Sequence, residues 1–308
     1  MHKYILKRLL MMVPVLLGVI IIIFSLNYFM PACPVARRLG DAATPDQIRQ
    51  GRDELGLNDP YVVQLGRFVG NIVRLDFGDS FHTGQPVTSE IAARFPNTFQ
   101  LALFGVLLGL IIGIPLGILS ATRQYSLFDS GATFLGLLGA SIPNFWLGMM
   151  LIIVFSVNLG WLPAMGFDTP LHMIMPVTAI GTGSAAIIMR MTRSSMLENI
   201  RQDYVRTARA KGQSERVVIF RHALKNALLP IITVAGLQFG VLLGGAVLTE
   251  NIFTIIGLGR FMVDSMHRVD SPVILSGVLF IALIFSFVNL AVDLLYGFVD
   301  PRIRSQYK

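Results

Sequence analysis

Residues 95–122 read FPNTFQLALFGVLLGLIIGIPLGILSAT, 28 positions without one Asp, Glu, Lys or Arg. A helix rises about 1.5 Å per residue, so about 20 apolar residues cross a hydrocarbon core about 30 Å thick. This stretch is long enough to do so with residues to spare. Inside it Gly105, Gly109, Gly113 and Gly117 recur every four positions. Small residues at that spacing let a second helix backbone come close. With Pro115 bending the helix, the same face is also suited to lining a path, and the sequence supports both readings.

Five further windows are equally free of charge: Leu9–Met30, Ser130–Phe167, Thr169–Met189, Asn226–Thr249 and Ser271–Val292. Together they place six spans at about 9–30, 99–121, 132–156, 172–192, 227–249 and 273–295, with ends uncertain by ~2–4 residues. The whole chain agrees with this reading. Its 308 residues are 54% hydrophobic and 14% charged, where soluble domains carry about 25% charged residues, and the mean hydropathy is +0.66. A water-soluble protein is excluded. So is a disulfide scaffold, because Cys33 is the only cysteine.

The net charge of +7 is explained by its distribution. Lys3, Lys7 and Arg8 precede the first span without an acid, and Arg302, Arg304 and Lys308 follow the last. Nine basic residues lie between Arg190 and Lys225, against Glu198, Asp203 and Glu215. By contrast, 157–171 has no Lys or Arg, and 250–272 has only Arg260 and Arg268. Cytoplasmic loops carry the Lys/Arg excess, so an even number of spans with both termini inside is expected. The basic excess is a topology signal, not a nucleic-acid surface. The opening Lys3-to-Arg8 cluster and the Met30-Pro31-Ala32-Cys33 junction faintly suggest a cleaved leader. However, the 22-residue apolar run 9–30 exceeds the about 7–15 residues of a signal core, and it reads as a span.

The chain divides into 1–30, the N-terminus and first span; 31–98, an extracytoplasmic segment; and 99–308, a five-helix core with a cytoplasmic loop at 193–226. In the second part, Thr44-Pro45-Asp46 marks a helix start. A second helix follows Asp59-Pro60, with Tyr61, Leu65, Phe68, Val69, Ile72 and Leu75 at helical spacing until Gly78. That stripe is expected to pack on the membrane core. Cys33 is expected to be a free thiol with no partner around it.

Absences narrow the chemistry. No span carries an ionisable residue near its centre, and Arg190 and Asp293 sit at span ends. Ion-coupled carriers rely on such groups and are often built from inverted repeats, so a secondary transporter is the weaker alternative. A membrane receptor or scaffold is weaker still. There is no phosphate-binding Gly-x-x-x-x-Gly-Lys-[Ser/Thr] loop and no metal-binding or nucleophile motif, so the chain is not expected to be an enzyme by itself. His172, His222 and His267 stand alone.

The most specific signal is Asp203-Tyr204-Val205-Arg206-Thr207-Ala208-Arg209-Ala210-Lys211-Gly212. It is followed by Gln213-Ser214-Glu215-Arg216 and by Arg221-His222-Ala223-Leu224-Lys225-Asn226-Ala227-Leu228-Leu229-Pro230. Residues 203–211 suit a short helix ended by Gly212. Ser214 is expected to cap the next helix, with Val217, Phe220, Leu224 and Leu228 on its apolar face. A short helix braced between two spans can act as a lever. A basic loop resting on anionic lipid would look the same by periodicity alone.

These residues resemble the coupling motif of bacterial ABC-importer permeases of the dipeptide, oligopeptide, glutathione and nickel branch. The resemblance runs along nearly the whole chain, through Lys7-Arg8-Leu9-Leu10, Leu55-Gly56-Leu57, Asp76-Phe77-Gly78-x-Ser80 and Leu159-Gly160-Trp161-Leu162-Pro163. It continues in Gly236-Leu237-Gln238-Phe239-Gly240, Gly257-Leu258-Gly259-Arg260 and Asp300-Pro301-Arg302. Three positions depart from the wider pattern. Arg206-Thr207-Ala208 stands where other importers have Glu-Ala-Ala, Pro31-Ala32-Cys33-Pro34 replaces Pro-Gly-Asp-Pro, and Ile256 replaces a proline.

The resemblance implies an all-helical type I importer permease in the bacterial inner membrane. It would form half of a pathway for di- or oligopeptides, or alternatively glutathione or nickel. The implied partners are a second homologous permease in a heterodimer, two ATPases, an extracytoplasmic solute-binding protein and membrane lipid. ATP and Mg would be bound by the ATPases, with no cofactor in this chain. The implied ATPase-coupling residues are Tyr204, Arg206, Thr207, Ala208, Arg209, Ala210, Lys211, Gly212 and Glu215.

Overall fold

In hydrocarbon each backbone N–H and C=O must be satisfied within the protein, which leaves helices or closed barrels. This chain uses helices. The structure, a computed structural model, describes residues 2–30, 33–40 and 43–299. Pro31-Ala32 and Asp300 onward, with Arg302, Arg304 and Lys308, lie outside the described residues. The elements in order are α1 (His2–Tyr28), α2 (Pro34–Leu39), α3 (Pro45–Glu54), α4 (Tyr61–Val73), α5 (Val87–Thr122), α6 (Leu127–Ser141) and α7 (Asn144–Leu151). The last of these runs on as a π-helix, Ile152–Asn158. Then come α8 (Pro170–Ile200), α9 (Asp203–Ala210) and α10 (Glu215–Val217), which passes through a π-turn at Val218–Ala223 into α11 (Leu224–Gly245). The short α12 (Val247–Ile252), α13 (Leu258–Arg268) and the final long α14 (Ser271–Val299) complete the fold.

Five units are long and apolar enough to span a membrane: α1, α5, α8, α10–α11 and α14. A sixth apolar unit is the pair formed by α6 and α7 with its π-helical end, Leu127–Ser141 and Asn144–Asn158, bent by 95° in the manner of a broken span or a re-entrant loop. The span expected at about 132–156 is therefore not one continuous helix. Pro143 has no N–H to donate and holds Ile142 extended, at φ −77° and ψ 123°. The charge-free windows also understate the helices. α5 begins at Val87 rather than 99, and α8 runs past 192 to Ile200, carrying Arg193 and Glu198.

The centre of the molecule is the contact between α5 and α8. A Cβ on Gly105 would lie 2.6 Å from Ile180, one on Gly113 2.8 Å from the Ala185 carbonyl oxygen, and one on Gly117 2.7 Å from that of Met189. The glycine face of α5 is thus packed against α8, as the close-approach reading of that stripe expects. Lipid tails are as apolar as the side chains, so such close packing is what holds the helices together. Half of the most apolar window of α8 is buried in the protein, against 11% for α1. α8 is central and α1 is peripheral.

The threading brings several ends together. Gly236 of α11 meets Val292 of α14, and Gly244 meets Ile281, so these helices are antiparallel. Arg8 of α1 pairs with Asp293 of α14 at 3.1 Å. The start of α1 and the late turns of α14 therefore lie at the same end as α9. Helices α3 and α4 lie at the opposite end. There Thr44 and Gln47 form a capping box on α3. The stripe of α4 packs on α1 through Tyr61 and Phe68 around Phe24, with ring centroids 5.6 and 5.5 Å apart. α4 ends at Val73, earlier than Gly78, because Leu75 turns to φ +59° and leaves its side chain exposed.

Candidate functional site

α9 is joined to α8 by only Arg201 and Gln202, so it is carried directly on a spanning helix. Val205 and Ala208, three apart, are its buried residues and belong to the core that includes Val218, Ile219 and Ala223 of the π-turn. At i and i+3 they form one face of the helix. Arg206, Thr207, Ala210 and Lys211 point away, with the Arg206 side chain 78% exposed. Tyr204 is partly covered, its hydroxyl donating to Asn199 Oδ1 at 2.7 Å.

The helix ends as its sequence predicts. The Gly212 N–H donates to the Arg209 carbonyl at 2.9 Å, and that of Gln213 donates to Ala208 at 3.4 Å, with Gly212 at φ +74°. This pair of bonds is the Schellman arrangement, which favours glycine in the left-handed position. Beyond the turn, Arg209 grips Glu215 through Nε (3.0 Å) and Nη2 (2.6 Å). The Glu215 carboxylate hydrogen-bonded to it raises the Arg209 pKa above its ordinary value. His222 Nε2 and Gln213 Oε1 lie 2.8 Å apart, tying the turn to the next helix.

Of the nine residues expected in the coupling site, eight lie on this exposed knuckle. Ala208 is 6% exposed and faces the protein, where it seats α9. Two neighbouring expectations are corrected. Ser214 occupies the N-cap position, but its side chain makes no capping bond. Val217 and Phe220 are exposed, and the buried line is Ile219, Ala223, Ala227 and Ile231. The π-turn at Val218–Ala223 adds a residue to the turn, which rotates the apolar register expected from a regular helix.

The opposite end holds a polar cluster that sequence reading missed. Glu250 is fully buried. Its Oε1 accepts from Thr98 Oγ1 at 2.5 Å and its Oε2 from the Arg260 N–H at 2.8 Å. Thr98 Oγ1 in turn accepts from the Leu258 N–H at 2.8 Å. α12, α5 and the free N–H groups opening α13 are thereby fastened together. Burial raises the Glu250 carboxyl, against the lowering effect of these bonds. The sequence signal was Glu250 standing directly after a charge-free window. Cys33, expected to stand apart, lies beside the Arg52 guanidinium, 3.8 Å from its Sγ, in a cavity of about 480 Å³ that Phe24 and Tyr28 also line.

An all-helical bundle of this layout is a membrane permease fold. It matches an inward-facing MetNI methionine ABC transporter structure with a TM-score of 0.59 at 18% identity, over 69% of this chain and 97% of that one. A crystal structure of an amino acid ABC transporter with histidines gives 0.52, also at 18% identity, over 67% and 94%. The family is fixed by sequence. Residues 113–305 match the "Binding-protein-dependent transport system inner membrane component" model, and 1–102 match the corresponding N-terminal model. The chain belongs to this family of multi-pass bacterial inner-membrane ABC-importer permeases, in the peptide branch.

Its relatives include the dipeptide transport system permease protein DppB of Alkalihalophilus pseudofirmus, 44% identical over 99% of this chain and 100% of that one. The oligopeptide permease AppB of Bacillus subtilis is also 44% identical, over 98% and 99%. The glutathione permease GsiC of Pectobacterium atrosepticum is 43% identical over 99% of each chain.

Proposed function

We propose that this permease forms half of a pathway for di- or oligopeptides, or for a closely related solute such as glutathione, delivered by an extracytoplasmic binding protein. A second, homologous permease supplies the other half. Two ATPases below bind ATP and Mg, and α9 seats in a cleft of one of them. Both termini and residues 193–226 then face the cytoplasm, and 31–98 faces outward, as the Lys/Arg distribution requires.

The observation that carries the reading is the seating of α9. Its inner face is fixed on the π-turn by Val205 and Ala208, while Arg206, Thr207, Ala210 and Lys211 stand free. A helix held in this way, two residues from α8 on one side and linked through the Gly212 turn and the π-turn to α11 on the other, passes a push from outside to two spans. Substrate identity rests on the relatives' names, which agree on peptides and a tripeptide-like thiol.

The test is reconstitution of the complete importer with Arg206→Glu or Gly212→Val in this chain. Both variants should insert normally, yet recover less ATPase or lose the link between ATP hydrolysis and uptake. Normal ATPase recovery with normal peptide-stimulated hydrolysis in both would overturn the assignment.

A further inference from the structure

A second cluster lies close to α9, and nothing in the coupling motif accounts for it. Asp129, in the first turn of α6, is 4% exposed, and Ser120, near the end of α5, is fully buried. Arg193 reaches Asp129 from α8 with both arms of its guanidinium, Nε to Oδ1 and Nη2 to Oδ2, each at 2.8 Å. Ser120 Oγ donates to Asp129 Oδ1 at 2.5 Å and accepts from Arg193 Nε at 3.0 Å. The Tyr125 N–H donates to Asp129 Oδ2 at 3.0 Å. Tyr125 itself sits at φ +65° with its side chain exposed, a conformation that a non-glycine residue keeps only where its surroundings enforce it. Asp129 thus gathers α8, α5, α6 and a strained connection onto one carboxylate.

Location gives the cluster its meaning. Arg193 lies about 10 Å along α8 from Ile200, at 1.5 Å per residue, and α9 begins three residues later. Directly beside it Gly117 packs on Thr192, the last contact of the glycine stripe. Stripes of small residues allow close approach but present few knobs to resist axial sliding. A two-armed guanidinium–carboxylate pair fixes both distance and orientation. Asp129 is buried while the Arg193 side chain stays 27% exposed; a pair largely withdrawn from water adds little net stability over an apolar replacement, so register is the property it best supplies.

We propose that the Asp129–Arg193 pair, with Ser120, is a register pin that makes α5, α6, α8 and α9 move as one body, so that displacement at α9 reaches the bent α6–α7 unit. These are positioning residues, and the inference rests on α9 being the ATPase contact.

The test uses the complete importer in proteoliposomes, in a Cys33→Ala background. A cysteine at Thr207 is first crosslinked to the ATPase. Failure there refutes the coupling reading and leaves the pin without a drive, whereas success isolates the pin as the object of the test. Spin labels at Phe134 of α6 and Gln202, at the start of α9, then report one intrachain distance. In the wild-type background it should be the same in nucleotide-free and ATP-trapped complexes. With Arg193→Met it should change between the two states. Solute carried per ATP should fall about tenfold, within the usual span of coupling energies, while basal hydrolysis and ATPase recovery persist. Arg193→Lys, which keeps the charge but not the fork, should fall less. A wild-type distance that changes between the states overturns the proposal even if Arg193→Met fails to assemble. So does an Arg193→Met complex with unchanged distance and unchanged transport per ATP.

Discussion

At Gly257 a Cβ would run into the carboxylate of Glu250, and at Gly259 it would lie 3.1 Å from Glu250 Oε2. The Gly257-Leu258-Gly259-Arg260 run is therefore read by one buried side chain, which needs that room to reach the opening N–H groups of α13. Glu250→Ala should leave the Thr98 hydroxyl and the Arg260 N–H without their acceptor. A buried donor stripped of its partner costs about 1–3 kcal/mol. The variant should unfold in detergent at a clearly lower temperature, and Glu250→Gln, which keeps an acceptor, should lose less. An unchanged midpoint for the alanine variant would contradict this role. Gly212 poses the opposite case. No atom lies within 4 Å of its missing Cβ, so Gly212→Val meets only the cost of a positive φ, about 1–2 kcal/mol. Its melting temperature should fall no further than that of Glu250→Ala, while its recovery of ATPase falls sharply.

α9 has an inner face that seats it and an outer face that stands free, and substitutions should divide accordingly. Ala208→Glu places a carboxylate among Val205, Val218 and Ala223, where an unpaired charge is strongly disfavoured. It should detach α9 from the π-turn, seen as faster amide exchange and protease cleavage across 203–215, before any effect on docking is considered. Equal protection in variant and parent would argue that Ala208 is not a seat. Gly113→Leu should likewise force α5 off α8, because its neighbours there include the Ala185 backbone; the expected result is a markedly less stable permease.

These elements also mark how far the sequence could be read. Charge-free windows reported the hydrocarbon-embedded part of each helix, since charge is what a bilayer excludes. They could not report where α5 or α8 ends in water. The charge-free window 130–167 runs straight through Pro143 and gave no sign of the 95° bend there. The π-turn left no periodic trace, so the faces of Val217 and Phe220 were misassigned. Asp129 and Glu250 sit directly at window edges and Arg193 four residues beyond one, where charge looks unremarkable until tertiary structure withdraws it from water.

The packing of α1 on α14 and of α14 on α11 puts the start of α1, the late turns of α14 and α9 at one end, and α3 and α4 at the other. The Lys/Arg excess supports the proposal that the α9 end faces the cytoplasm. A cysteine at Gln50 should react with an impermeant reagent added to intact cells, and one at Ala210 should not; the reverse would invert the molecule. Cys33→Ala, needed for this labelling, should leave uptake unchanged, and a large loss would assign a role to the thiol beside Arg52. The central claim is that the exposed face of α9 is where the ATPase pushes. Its most direct test is a photo-crosslinking residue in place of Arg206 in membranes that contain the full importer. The account predicts a single dominant adduct with the ATPase subunit, absent when the same residue is placed at Gln50. An adduct only with lipid, or none with the ATPase while the complex still transports, would contradict it.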